Sequence, residues 1–396
     1  MTRSIQLPEK KSWIYVLVMG LYSVMTALFL IGVITLFISG NKLAAHDFVS
    51  YWSAGKLLVA GSNPYDPTTV GTLEFASGFD RSAYPLIMRN PPTALLITLP
   101  FAGLSLRIAS LVWSLLSASS LVLAIYLIQS RYEASDKILF LFGVSFGPAV
   151  LCLLSGQTAI FVLLGYCLFL SLYRTSPFWS GCSLWLCALK PHLFLPTAVV
   201  MTLWALYRRN YKFLIGIAST IAVSSAVAVK YDASIFSHYW AMLSNPELSR
   251  ELVPSAAILL RRMLPNSVRW VQYLPAIIGC VWAAWLFQRK REVWKWEDQG
   301  SIVLLVSLAV APYSWISDLT IAVPALLFAI LRFDRQFVLV MALLTSSVEL
   351  MTIFHPNLHA PIYAIFAPAC LGFYVWTMHR ATDVQRQLAP NHEISV

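Results

Sequence analysis

The chain has 396 residues, of which 58% are hydrophobic and only 12% are charged, and its formal net charge is +10. A soluble domain carries roughly 25% charged residues, so this composition excludes a protein that is soluble throughout. The basic residues cluster between apolar segments, notably at 208–212 and 289–295. This is the positive-inside pattern, which indicates contact with membrane lipid and argues against nucleic acid as a partner.

The first apolar segment, residues 13–38, follows Arg3, Lys10 and Lys11. It is too long for the apolar core of a signal peptide, and no clear small-residue cleavage site follows it. It therefore predicts a retained transmembrane helix with a cytoplasmic N-terminus.

Further apolar segments recur along the whole chain, and a lipid-facing backbone must satisfy its own hydrogen bonds, so these segments predict helices. The predicted fold is an all-α polytopic membrane protein with about 12 transmembrane helices and both termini cytoplasmic. It forms one domain, 1–380, with a short polar tail, 381–396. Segments as short as 93–105 are candidates for tilted or re-entrant half-helices. The predicted helices after the first are 93–105, 108–129, 138–153, 158–173, 178–207, 213–229, 270–288, 301–316, 319–331, 337–353 and 361–378.

Two long loops fall on the outer side, at 39–92 and about 230–269. In the first loop, Phe48, Tyr51 and Trp52 recur near helical spacing with polar residues between them. This pattern predicts a short amphipathic helix in the membrane interface. Residues 256–264 predict another. Asp47, a carboxylate beside these aromatics at the mouth of a membrane bundle, is a candidate reaction centre.

Short polar motifs interrupt the apolar segments in a set order. They are Asp47-Phe48-x-x-Tyr51-Trp52, Asn63-Pro64-Tyr65-Asp66, Asn90-Pro91-Pro92, Gly156-Gln157, Lys190-Pro191-His192, Ala311-Pro312-Tyr313-Ser314-Trp315 and Ser317-Asp318. In this order the set resembles glycosyltransferase family 87, which includes polyprenol-phosphate-mannose-dependent α-1,2-mannosyltransferases. The resemblance extends from about residue 40 to about residue 330.

The resemblance implies a GT-C architecture, a multi-helix membrane bundle with interfacial helices in the first outer loop. Such enzymes transfer a sugar from a polyprenyl phosphate to an acceptor hydroxyl on the non-cytoplasmic face, with inversion at the anomeric carbon. The family's catalytic acidic residue matches Asp47. The segments around Asp318 and His192 depart from many relatives, which leaves the sugar and the acceptor undetermined.

Glycosyl transfer needs a base that removes the acceptor proton, and a positioned carboxylate contributes about 10² to 10⁴ in rate. Asp47 is the candidate base, and the alternative is that it caps the predicted helix. The leaving phosphate needs cations. A lysine inside an apolar segment is costly, which favours a functional Lys190, although snorkelling to a headgroup is the alternative. The other candidate cations, for which an interfacial or solvated position is the alternative, are Lys56, Arg89, Arg261 and Arg262.

Asp318 either orients a sugar hydroxyl, pairs with Lys190 or occupies a plain loop turn. Gln157 has suitable chemistry for a sugar hydroxyl, but the predicted topology puts it near the inner side or mid-membrane. Either 138–173 contains half-helices or Gln157 is structural. The aromatic candidates for stacking on sugar faces are Tyr51, Trp52 and Tyr65. Aromatic residues at membrane boundaries usually form interfacial belts, which is the alternative for all three.

No Gly-rich phosphate loop follows a strand, and the 18 acidic residues contain no Asp-x-Asp pair that would carry a cation for a nucleotide sugar. The six cysteines lie in apolar segments without metal-site spacing. The sequence therefore predicts a lipid-linked donor and neither a metal nor another cofactor.

The leading hypothesis is a glycosyltransferase in the bacterial inner membrane whose active site faces the periplasm. Its expected partners are a polyprenyl-phosphate donor of mannose or another hexose or pentose, and a glycolipid or polysaccharide acceptor. The alternative is a multi-span transporter or flippase of lipid-linked sugars. Transporters often show two related halves, and this chain shows no such symmetry.

Overall fold

The structure is a computed structural model that describes residues 47–79, 85–131, 137–245, 253, 255–264, 266–332, 335–354 and 361–388, with isolated positions between 16 and 31. The predicted first transmembrane helix, 13–38, lies almost entirely outside the described residues, as does the end of the predicted tail, 389–396.

The described residues form helices joined by turns, and no strand occurs among them. The α-helices are α1 Phe48–Val59, α2 Pro67–Ala76, α3 Leu106–Arg131, α4 Lys137–Ser145, α5 Gly147–Ser155, α6 Ala159–Leu172, α7 Pro177–Cys187, α8 Leu195–Tyr207, α9 Tyr211–Tyr231, α10 Ile235–Leu243, α11 Ala256–Arg262, α12 Leu274–Lys290, α13 Ser301–Ala309, α14 Val323–Arg332, α15 Arg335–Phe354 and α16 Phe366–Leu388. Short 3-10 helices are Pro92–Ile97, Leu99–Phe101, Pro191–Leu193, Asn266–Tyr273, Ile316–Ala322 and Pro361–Ile365, and Trp296–Gly300 is a π-helical turn.

Helices of membrane-spanning length and composition confirm the prediction of an all-α membrane protein. Four such helices lie in the described part of the chain, at Leu106–Arg131, Tyr211–Tyr231, Trp270–Lys290 and Pro361–His379. Four shorter apolar helices accompany them, at Ala159–Leu172, Leu195–Tyr207, Ile316–Leu331 and Leu339–Met351. The last helix runs to Leu388, so the first half of the predicted tail continues it.

Several segments predicted as single helices are interrupted. The segment 138–153 divides at Phe146 into α4 and α5, and the segment 178–207 divides around Lys190 into α7 and α8. Prolines lie in the first turn after each break, where their missing N–H is tolerated, whereas inside a helix it would remove a hydrogen bond. The predicted helix 93–105 is instead a pair of 3-10 helices. These interruptions leave polar residues inside the bundle.

The helix predicted in the first outer loop exists as α1, and both its apolar and its polar positions are buried in the protein. Phe48, Tyr51 and Trp52 are all buried, and so are the polar positions Ser50 and Ser53 between them. The helix packs against the 3-10 pair that follows the loop. The predicted helix at 256–264 is observed as α11.

The α1 helix is held by an aromatic cluster centred on the buried Trp113 of α3. The ring of Trp113 lies 4.9 Å from that of Phe48, 5.5 Å from that of Tyr51, 5.4 Å from that of Phe101 and 4.9 Å from that of Phe161. Aromatic pairs in this distance range add about 0.5–1.5 kcal/mol each beyond burial. The cluster fixes the start of α1, and with it Asp47.

Two glycines allow α7 and α9 to pack with their backbones in contact. A Cβ atom on Gly181 would lie 2.1 Å from the carbonyl oxygen of Phe213, and one on Gly216 would lie 2.2 Å from that of Phe178. No side chain fits at either position without moving a helix. Small residues at helix contacts are typical of membrane bundles, where packing drives association.

Candidate active site

A left-handed turn after α5 brings Gln157 next to Asp47. Gly156 ends α5 with φ of 72°, a conformation that glycine adopts at little cost. The backbone N–H of Asp47 donates to the carbonyl of Ser155 at 3.0 Å, and the indole of Trp113 donates to the carbonyl of Gly156 at 2.8 Å. These bonds join the start of α1 to the end of α5.

Substitution of Gly156 is expected to disturb this junction. An alanine there would hold an unfavourable backbone conformation, and its Cβ would meet that of Phe48 at 2.8 Å. We expect Gly156→Ala to lower the free energy of unfolding by about 1–3 kcal/mol, measured by thermal unfolding in detergent. Gly103→Ala is the matched control, because no atom lies within 4 Å of its added Cβ. Equal unfolding midpoints for the two variants would contradict the prediction.

Five of the residues singled out in the sequence form one hydrogen-bonded network. The side-chain amide of Gln157 donates to Asp47 Oδ2 at 2.7 Å. Its Oε1 accepts from Lys190 Nζ at 2.8 Å and from the Tyr51 hydroxyl at 3.1 Å. Lys190 Nζ also donates to Asp318 Oδ1 at 2.6 Å. The network therefore runs from Asp47 through Gln157 and Lys190 to Asp318.

The inner end of this network is a buried ion pair. Lys190 is 7% exposed and Asp318 is 1% exposed. The other carboxylate oxygen of Asp318 accepts from the backbone N–H of Trp315 at 2.9 Å. Burial of two charges is tolerated because each has its opposite charge and further hydrogen bonds. Lys190 therefore pairs with Asp318, which is one of the alternatives that the sequence leaves open for Asp318.

The break between α7 and α8 presents Lys190 to the site, and Asn90 anchors it. The buried amide of Asn90 donates to the carbonyl of Leu189 at 2.7 Å, and the carbonyl of Asn90 accepts from the Tyr65 hydroxyl at 3.1 Å. The first outer loop is thereby bonded to the residue before Lys190. The signal for Asn90 was the Asn90-Pro91-Pro92 motif, although the sequence assigned no role to the asparagine itself.

The outer end of the network is more accessible. Asp47 and Gln157 are half-buried, whereas the other three members are buried. Asp47 is the residue before α1, yet its side chain makes no capping hydrogen bond to that helix. Burial raises the pKa of the Tyr51 hydroxyl to about 12, so it stays protonated and donates to Gln157 at neutral pH. The arrangement therefore contains one accessible carboxylate, that of Asp47, which is hydrogen-bonded through Gln157 to the ion pair of Lys190 and Asp318.

The remaining candidate residues lie apart from this network or beside it. Lys56 Nζ lies over the Trp52 ring at 4.9 Å, and the Trp52 indole donates to the carbonyl of Leu104 at 3.0 Å. Arg261 donates to Gln272 at 2.7 Å, and Arg262 is exposed. These contacts do not connect Asp47 with Lys56, Trp52, Arg261 or Arg262.

Arg89 is half-buried and lies close to Tyr313. Burial raises the pKa of the Tyr313 hydroxyl, and the positive charge of Arg89 partly opposes this increase. The Tyr313 ring in turn stacks on His192 at 3.8 Å, two residues after Lys190. Arg89 and the network residue Asp318 therefore both lie close enough to Tyr313 to affect its pKa. The stacked pair was not expected from the sequence, because residues 192 and 313 come from separate segments.

The three aromatic candidates are packed against protein groups. One face of Tyr51 stacks on Trp113, and Tyr65 lies 5.4 Å from the ring of Tyr239. Both rings and that of Trp52 are no more than 4% exposed. Their stacking on a sugar stays a prediction, and the observed role of Tyr51 is to hydrogen-bond Gln157.

The position of Gln157 corrects the predicted topology. That topology put Gln157 near the opposite side from Asp47, because it counted 138–153 as one complete crossing. The segment consists of two short helices, and Gln157 is in direct contact with Asp47. The half-helix alternative is therefore the observed one.

The described residues contain no group of three or more His, Cys, Asp or Glu side chains that could hold a metal ion. The observed side chains can supply three things: a carboxylate that accepts a proton, several hydrogen-bond donors, and a positive charge that stabilises the carboxylates.

The fold and the site define an integral membrane protein that holds a carboxylate, an amide and a lysine in one hydrogen-bonded network inside a helical bundle. Residues 89–356, about two thirds of the chain, match glycosyltransferase family 87. The chain belongs to this family and is a membrane glycosyltransferase. Gln157, Lys190 and Asp318 lie within the match, and Asp47 precedes it. No curated protein and no solved structure matches the chain.

Proposed function

We propose that this protein transfers a sugar, mannose or another hexose or pentose, from a polyprenyl-phosphate donor to an acceptor hydroxyl. The observation that carries the proposal is the half-buried Asp47 carboxylate, which is bonded to a buried polar network inside a membrane bundle. Family membership supplies the reaction class, a sugar donor and an acceptor.

Asp47 acts as the general base of a single displacement. The acceptor hydroxyl gives its proton to the Asp47 carboxylate while its oxygen forms a bond to the anomeric carbon. The bond between that carbon and the phosphate oxygen breaks, and polyprenyl phosphate leaves with the electron pair. Attack from the face opposite the leaving group inverts the anomeric configuration. A base positioned in this way contributes about 10² to 10⁴ in rate.

Arg89 is the cation that we assign to the leaving phosphate. Lys190 is less suited to this role, because its charge is already balanced by Asp318 at 2.6 Å. Arg89 is half-buried and adjoins Asn90, whose side chain binds the backbone next to Lys190. Charged donors aimed at a developing phosphate charge lower the barrier most when water is excluded.

A donor linked to a membrane lipid suits the surroundings of the site. The helices of spanning length place the protein in a bilayer, where a polyprenyl chain would also reside. The acceptor is proposed to be a glycolipid or polysaccharide precursor at the periplasmic face of a bacterial inner membrane.

The test is transfer of labelled sugar by the purified protein in lipid vesicles. Labelled polyprenyl-phosphate mannose and labelled nucleotide-linked mannose are offered separately with a membrane lipid extract as acceptor. We expect transfer from the lipid-linked donor, with the opposite anomeric configuration in the product. The arabinose and galactose forms of the lipid donor extend the series. Transfer from the nucleotide sugar alone would overturn the proposal.

A further inference from the structure

The Gln157 amide has a defined orientation, because its neighbours allow only one. The ammonium of Lys190 can only donate hydrogen bonds, so the atom 2.8 Å from it must be the amide oxygen. The protonated Tyr51 hydroxyl donates to the same oxygen at 3.1 Å. The amide NH₂ group therefore faces Asp47 Oδ2 at 2.7 Å, where it donates.

This geometry differs from the one expected of a glutamine side chain that binds a sugar hydroxyl. The donor side of the amide is engaged with Asp47, and its acceptor side is shared by two protein donors. We infer that Gln157 is a positioning residue, which acts on the reaction by orienting the Asp47 carboxylate. The inference rests on the proposed role of Asp47 as the base.

The physical reason lies in the hydrogen bond and the charges behind it. A carboxylate that accepts a hydrogen bond from a fixed donor is held in one orientation, because the bond weakens steeply when donor and acceptor are misaligned. The titratable side chains that contact the side-chain amide of Gln157 are Asp47 before α1, Tyr51 of α1 and Lys190 between α7 and α8. Asp318, before α14, contacts Lys190. Because Asp318 offsets the charge of Lys190, the group that Gln157 presents to Asp47 is a neutral amide with a balanced ion pair behind it.

Gln157→Glu tests the inference by adding a negative charge at the same position. One oxygen of the glutamate can still accept from Lys190 and Tyr51, and the other then faces Asp47. Two carboxylates within hydrogen-bond distance resist ionising together, so the higher of the pair's two pKa values rises. Asp47 must be deprotonated to accept a proton, so the acidic limb of the kcat/KM profile should move to higher pH by about one unit or more.

Gln157→Leu separates positioning from substrate binding. Without the amide, Asp47 loses the hydrogen bond from Gln157, and we expect kcat to fall about tenfold while KM for donor and acceptor changes less than twofold. Gln288→Glu is the matched control for added charge, because Gln288 is exposed on α12 and outside the network. We expect it to leave the pH profile unchanged.

A readout without turnover separates this inference from the proposed function. A hydrophobic carbodiimide modifies protonated carboxyl groups, and mass spectrometry quantifies its adduct on Asp47 as a function of pH. In Gln157→Glu the adduct should persist to higher pH than in the wild type or Gln288→Glu. An unchanged labelling profile, or a Gln157→Leu variant that raises KM alone, would overturn the inference. Shifted labelling without sugar transfer would uphold the coupling between Gln157 and Asp47 and reject the proposed function.

Discussion

Replacement of Asp47 by asparagine is expected to slow sugar transfer about 10²-fold or more, because the side chain keeps its shape and loses the ability to take a proton. Asparagine can still accept the hydrogen bond from Gln157 through its oxygen, so the start of α1 should stay in place. The measurement is the initial rate of labelled transfer at saturating donor, with thermal unfolding in detergent to show that the variant is folded.

Asp66→Asn is the control for this substitution. Asp66 caps α2 by accepting from the backbone N–H of Thr69 at 3.0 Å, which an asparagine oxygen can also do. The Asp66→Asn variant should transfer sugar at close to the wild-type rate. If Asp47→Asn and Asp66→Asn were equally active, Asp47 would not be the base.

Removal of Lys190 alone is expected to have the largest effect on stability. Lys190→Met leaves the Asp318 carboxylate buried without its counter-charge, and the loss of one partner of a buried pair costs about 3–5 kcal/mol. Gln157 would also lose one of its two donors. We expect a marked fall in the thermal unfolding midpoint in detergent, together with loss of transfer.

The double variant Lys190→Met with Asp318→Asn separates charge from packing. It leaves no unpaired charge, so it should recover much of the lost stability. Lys56→Met is the matched single-lysine control, because the contact of Lys56 with the Trp52 ring is worth about 0.5–1 kcal/mol at an accessible site. A double variant as unstable as Lys190→Met would show that the ion pair is not the cause.

Much of the helical architecture follows from local pattern. The long apolar segments predicted at 108–129 and 213–229 are observed within a few residues, because a continuous apolar surface in lipid leaves the backbone no partner outside the helix. Lys190 and Asp318 were recognisable because ionisable residues in apolar surroundings are costly. Their pairing was one of the alternatives that the sequence left open for Asp318.

The breaks at Phe146 and Lys190 were less predictable. Hydropathy is nearly the same for one long helix and for two short ones, and prolines are tolerated inside membrane helices when neighbours satisfy the freed groups. When one helix break is missed, all later residues are assigned to the opposite side of the membrane. This explains the misplacement of Gln157. The tertiary contacts that fix Asp47, such as the bond from Trp113 to Gly156, have no local signal at all.

The backbone contact between α7 and α9 has a consequence for any survey of variants. Gly181 and Gly216 tolerate no side chain, although neither belongs to the network around Asp47. In a saturation screen scored by activity, both positions should look as intolerant as Asp47. Protein abundance would tell them apart, since substitutions at the glycines should deplete the protein from the membrane, whereas Asp47→Asn should accumulate as an inert enzyme.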